Sequence, residues 1–89
     1  PELANDPATV ASAAAMDKMM ADMMVPYTGD PDIDFARGMI PHHQAAIDMA
    51  KIQLEFSKDP EMRKLAEAII AAQESEIATL KAFLATKGM

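Results

Sequence analysis

Apolar positions along this 89-residue chain recur at spacings of three and four and form no alternating run. That is the period of helices, not of strands. Three Asp-Pro pairs punctuate the pattern: Asp6-Pro7, Asp30-Pro31 and Asp59-Pro60. An aspartate at the N-cap accepts free backbone N–H groups, and a proline at the first helical position lacks the N–H that would go unpaired there. The pattern predicts helices over about 7–24, 31–57 and 60–86, after a short "PELAN" lead. The first stops before Pro26 in "VPYTGD", the second ends in "SKD", and the third ends near Gly88, a C-cap residue.

The connections are short, so neighbouring helices are antiparallel. Helices 2 and 3 form a long hairpin, and the shorter helix 1 covers part of it. The expectation is one all-α domain over residues 1–89, an antiparallel three-helix unit of four-helix-bundle type. Three helices of unequal length leave apolar surface open, which a homodimer would cover.

Stepping 100° per residue along helix 2 puts Phe35, Met39, His43, Ala46, Ala50 and Leu54 on one face. His42 and Met49 lie on its flank, so both histidines are expected to point towards packed surface. Met39 is one turn from both rings. On helix 3 the apolar face comprises Met62, Leu65, Ala66, Ile69, Ile77, Leu80, Phe83 and Leu84, with Gln73 and Glu76 among them. Buried polar groups need partners. A hairpin turning near 58–59 sets His42 and His43 level with positions 75 and 74, between Gln73 and Glu76. Pro41 removes a helix hydrogen bond and predicts a kink just before the histidines. Gly38 would ease that bend and let another helix approach.

Composition changes the picture at one point. There are nine methionines against five leucines. Five of them, Met16, Met19, Met20, Met23 and Met24, form a stripe at helical spacing on helix 1. Such a stripe reads first as a core face, yet leucine would specify a core better. The count across the 25–30 turn sets Met16 near Met39, and Met19 and Met20 near Phe35. Thioethers select soft Cu(I), and Ag(I) by the same softness, and imidazole suits copper too. Zinc would want more nitrogen, thiolate or carboxylate. A di-iron site needs Glu-x-x-His motifs, and none occurs. Glu76 is expected to accept one imidazole N–H and orient the other nitrogen, with Gln73 in the same network.

The remaining composition mostly excludes. A net charge of −6 argues against nucleic acid or an anionic membrane as partner. No apolar run is long enough to span a bilayer. Cysteine is absent, which removes disulfides, thiolate sites and a cysteine nucleophile. No phosphate loop or Ser-His-Asp pattern points to catalysis, so the protein is not expected to be an enzyme. A chain starting at Pro1 fits a processed form of an exported protein.

"DIDFARGMIPHHQAAIDMAK" (32–51) together with "IIAAQESEI" (69–77) closely resembles domain-of-unknown-function family 305. The resemblance extends from the Met-rich helix to Phe83. It implies a small, exported, ferritin-like helical bundle in bacteria, periplasmic or extracellular, associated with copper handling as in the CopM-like copper-binding proteins. Matched residue by residue, it implies roles for Met39, His42, His43 and Met49 on helix 2 and for Gln73 and Glu76 on helix 3. The family often has methionine where this chain has Leu80, and tryptophan where it has Phe83.

The reading that follows is Cu(I) or Ag(I) binding for sequestration, delivery or tolerance, with copper-transport proteins as further partners. Its expected ligands are Met39, His42 and His43, then Met16, Met19, Met20, Met23 and Met49, supported by Glu76 and Gln73. Binding should weaken in acid, as protons compete for the imidazoles. Two other readings stay open. One is a structural or interaction module whose His/Gln/Glu cluster sets helix register. The other is a di-metal oxidase-like site built across a dimer from His42, His43 and Glu76.

Overall fold

The structure is a computed structural model that describes residues 3–89; the first two residues of the "PELAN" lead lie outside it. A short 3-10 turn, Leu3–Asn5, precedes three helices: α1 (Pro7–Asp22), α2 (Pro31–Phe56) and α3 (Pro60–Thr86). No strand occurs among the described residues.

Each helix starts where its Asp-Pro pair stands. Asp6 accepts from the Thr9 amide, Asp30 from the amides of Asp32 and Ile33, and Asp59 from that of Met62. The α3 terminus closes as expected on Gly88, at φ 74°. The amide of Gly88 bonds the Ala85 carbonyl and that of Met89 the Leu84 carbonyl, the paired bonds of a Schellman cap. α1 ends at Asp22, two residues before the expected boundary, because a residue preceding proline is pushed out of the helical region and Pro26 follows closely. α2 runs through Pro41 without interruption. A Cβ at Gly38 would meet nothing within 4 Å, so no helix uses that glycine for a close approach.

The helices form one layer. α2 lies in the middle and contacts both neighbours, while α1 and α3 do not touch. Ala36, His43, Ile47 and Ala50 are buried and share the side of α2 that meets Ala66, Ile77 and Leu84 of α3. Ala45, also buried, lies on the other side of α2. Only α1 remains to cover it, through a seam in which Ala15 is buried and Ala8, Ala11 and Met19 are half-buried. Alanines on both sides let the backbones come close. The result measures 45 × 29 × 15 Å, with the thin dimension that of a single helix layer.

The α1 methionines are therefore not a core. Met16, Met20 and Met23 are largely exposed, and the alanines on the adjoining face make the contact. The chain as a three-helix unit is as expected, but its hydrophobic interior is thin and alanine-rich.

Two polar clasps hold the ends. The Arg63 guanidinium donates to the carbonyls of Leu54 and Ser57, which would otherwise be free at the α2 terminus. Asp34 gathers the α1–α2 turn. Its carboxylate accepts from the Thr28 amide and hydroxyl, both at 2.8 Å, and from the Gly29 amide at 3.1 Å. Gly29 sits at φ 89°, where a side chain would be strained.

The hydrogen bond from the Thr28 amide is the main reason that the Asp34 carboxyl is held below its ordinary 3.8. A depressed value stabilises the fold above the unfolded-state value, and the contribution disappears as pH falls through the folded-state one. In acid the turn is expected to loosen at Thr28 and Gly29 first, which amide NMR shifts would follow. Asp34→Asn should remove that acid transition and lower stability at neutral pH. Unchanged Thr28 and Gly29 resonances through the titration would contradict the assignment.

Candidate metal centre

α2 and α3 bring one histidine and one carboxylate together. His43 Nδ1 lies 2.9 Å from the backbone carbonyl of Met39, one turn earlier on its own helix. Its Nε2 lies 2.9 Å from Oε1 of Glu76 on α3. The His43 side chain is only 9% exposed, whereas that of Glu76 is 56% exposed at the edge of the site.

A carbonyl oxygen only accepts, so the contact with Met39 uses Nδ1 as donor and leaves Nε2 as the nitrogen turned outward. Nε2 and Glu76 Oε1 share one hydrogen bond, in the place that a cation of suitable chemistry would occupy. Glu76 thus occupies the nitrogen a metal would use. It was expected to orient the ring through the other nitrogen; the Met39 carbonyl does that, a common arrangement behind metal-bound histidine.

Both partners border a groove of about 220 Å³ lined by Phe35, Met39, His43, Glu76, Thr79 and Leu80. The Met39 thioether and the outward imidazole nitrogen therefore serve one space. His43 and Glu76 meet within one turn of the level expected from the hairpin count. Gln73 is half-buried at the same level, and its Oε1 is buried without a hydrogen-bond partner.

Other expected ligands are placed differently. His42 is exposed and does not border the Met39–His43 groove, since one residue step turns its ring 100° from that of His43. Met49 is exposed and lies in a second groove with Ala46, Gln53, Met62, Leu65 and Ile69. Met23, the residue that caps α1, lines a groove with Met39 that is shared with Phe35, Gly38 and Arg37. Met16 was expected at the Met39 level; the methionine that shares a groove with Met39 is Met23, seven positions later. Met16 and Met20 share the α1 face of Met23 at helical spacing, so they open on the same side of the layer. Among the described residues, no three His, Asp or Glu side chains converge as a metal cluster would need. Thr79, as a wall of the groove, and Arg63 carry no recognisable signal in the sequence.

A flat antiparallel helix layer with an imidazole, a carboxylate and a thioether on one groove defines a small helical-bundle domain with a soft-donor face. Residues 32–89 match the family model described as Domain of unknown function (DUF305), and the chain belongs to that family. It is also similar to the uncharacterized protein L153 of Acanthamoeba polyphaga mimivirus, with 42% identity over 53 residues. The match spans 60% of this chain and 35% of the viral protein. No helix among the described residues is long and apolar enough to cross a membrane.

Proposed function

We propose that this protein binds Cu(I), or Ag(I), at the Met39–His43 groove, for sequestration, delivery or tolerance and without catalytic turnover. The observation that carries the reading is the outward Nε2 of a buried, carbonyl-anchored imidazole beside a thioether. That donor pair suits a soft monovalent ion. One further feature supports it. Met16 and Met20 of α1, and Met23 at its end, are exposed instead of filling a core. Met23 is the nearest additional sulfur. Met16, Met19, Met20, Met49 and His42 form an outer set of donors along the same chain. Copper-transport partners, and the periplasmic or extracellular bacterial setting that the CopM-like resemblance implies, belong to this reading.

The test is anaerobic Cu(I) titration against a competing chelator. Wild type is expected to compete at micromolar protein or below. Met39→Leu should weaken binding about tenfold or more, since even outer-sphere groups are worth about that much. Changing Met16, Met19, Met20 and Met23 together to leucine should lower capacity more than affinity. Failure of wild type to compete would sink the proposal.

One observation favours a structural reading instead: both nitrogens of His43 already have partners, so the pair can pin α2 to α3 without metal. On that reading copper binding is absent and the His43 variants lose only stability.

A further inference from the structure

One face of the hairpin is almost free of charge. Between Phe35 and Gln53, helical spacing puts Phe35, Met39, His42, Ala46, Met49 and Gln53 on it. α3 contributes Met62, Leu65, Ile69, Glu76 and Leu80. Within that stretch Glu76 is the single carboxylate, and it is bonded to His43; Asp32 borders the end of the face, beside Phe35 and Leu80. The opposite face is different in kind: its groove is lined by Gln44, Lys51, Glu74 and Lys81, with Ile47, Ile77 and Ala78 at the base.

The uncharged face is uncovered. Phe35 is 62% exposed and Leu65 50%, and the two grooves described above both lie on it. The shape agrees. An 89-residue domain has an expected radius of gyration of about 12 Å, against the observed 15.3 Å. A folded monomer of 9.6 kDa exposes about 5,100 Å², and this chain exposes 6229 Å². The excess, about 1,100 Å² by the same scaling, exceeds the roughly 800 Å² that each partner buries in a standard interface. A helix layer needs a second layer against its apolar side.

We infer that a second copy of this chain supplies that layer, in an isologous dimer joined through the uncharged face. Self-pairing fits because the face has no charge pattern asking for a complementary partner, and the net charge of −6 stays on surfaces pointing outward. His43 stands at the middle of α2 and Gln73 at the middle of α3, so a two-fold axis through the centre of the face passes close to both. Isologous pairing then brings the two His43–Glu76 pairs towards each other and closes the groove of each copy with the other. The inference does not depend on metal binding.

Sedimentation of the metal-free chain, with chelator present, tests it. The expected result is twice the 9.6 kDa mass at micromolar concentrations. Leu65→Glu, on the exposed face and outside the buried core, should give the monomer with undiminished helicity by circular dichroism. Lys81→Glu, on the charged face, should leave the dimer intact. Because the chain lacks cysteine, Ala46→Cys near the axis should cross-link to itself under oxidation more readily than Ala78→Cys on the other face. A monomer in wild type at 100-fold higher concentration overturns the inference, as would a dimer sensitive to Lys81→Glu and not to Leu65→Glu. A dimer that forms only when Cu(I) is added also overturns it, and would leave the copper proposal standing.

Discussion

His43→Ala is expected to reduce Cu(I) affinity by about 100-fold or more, beyond what loss of an outer-sphere group costs. His42→Ala should stay close to wild type. The two rings are neighbours in sequence, so the contrast isolates geometry from composition. Only His43 has Nδ1 anchored on the Met39 carbonyl and Nε2 turned into the groove. The same change removes two hydrogen bonds from a buried ring and leaves a cavity, which together cost about 2–3 kcal/mol. Circular dichroism at the titration temperature separates loss of ligand from loss of fold. Equal effects of the two alanine substitutions would place the site elsewhere.

Glu76→Gln sharpens the same result. On the copper proposal the ion displaces the His43–Glu76 hydrogen bond. An amide at position 76 takes up no proton in the ion's place, so the loss of affinity on acidification should be smaller.

The largest effect on stability is expected at Ile47. It is 3% exposed and packs at the α2–α3 contact, opposite the α3 residues Ala66 and Ile77. Half of the other buried side chains in that contact are alanines, which cannot extend to close over a void. Ile47→Ala should cost about 3 kcal/mol. A chain of this size has about 5–13 kcal/mol in total. The expected fall in Tm is roughly 12–24 °C. A loss below 1 kcal/mol by urea denaturation would mean that the hairpin contact is not the main source of stability.

The helices were legible because their starts are chemically marked. An Asp-Pro pair acts through local hydrogen bonds and a fixed φ, and neither depends on tertiary structure. The meeting of His43 with Glu76 followed from hairpin geometry alone, because a short turn leaves little freedom in level. What the pattern could not separate was a broad apolar arc into its uses. Phe35, Met39 and Ala46 look like core positions at 100° per residue, yet the α3 contact is made by Ala36, His43, Ile47 and Ala50. The α1 stripe failed for the same reason. Its methionines are the larger residues, but the alanines beside them permit the closer helix approach. Periodicity weighs hydrophobicity, whereas contact here is decided by size.

The same geometry bore on the site. Which nitrogen of His43 faces outward depends on a side-chain rotation towards a carbonyl one turn back, and nothing in residue type records that. The distinction between His42 and His43 required knowing which side of α2 carries α3.

The alanine seam between α1 and α2 has a consequence for how such proteins can vary. The family match begins at Asp32, in the first turn of α2, so α1 lies outside it. α1 is fastened to a single neighbour and touches neither α3 nor Glu76. Exchanging the exposed thioethers of Met16 and Met20 therefore leaves the interior of the histidine-bearing hairpin in place. On the copper proposal, the number of sulfur donors is then set apart from the architecture that holds the imidazole.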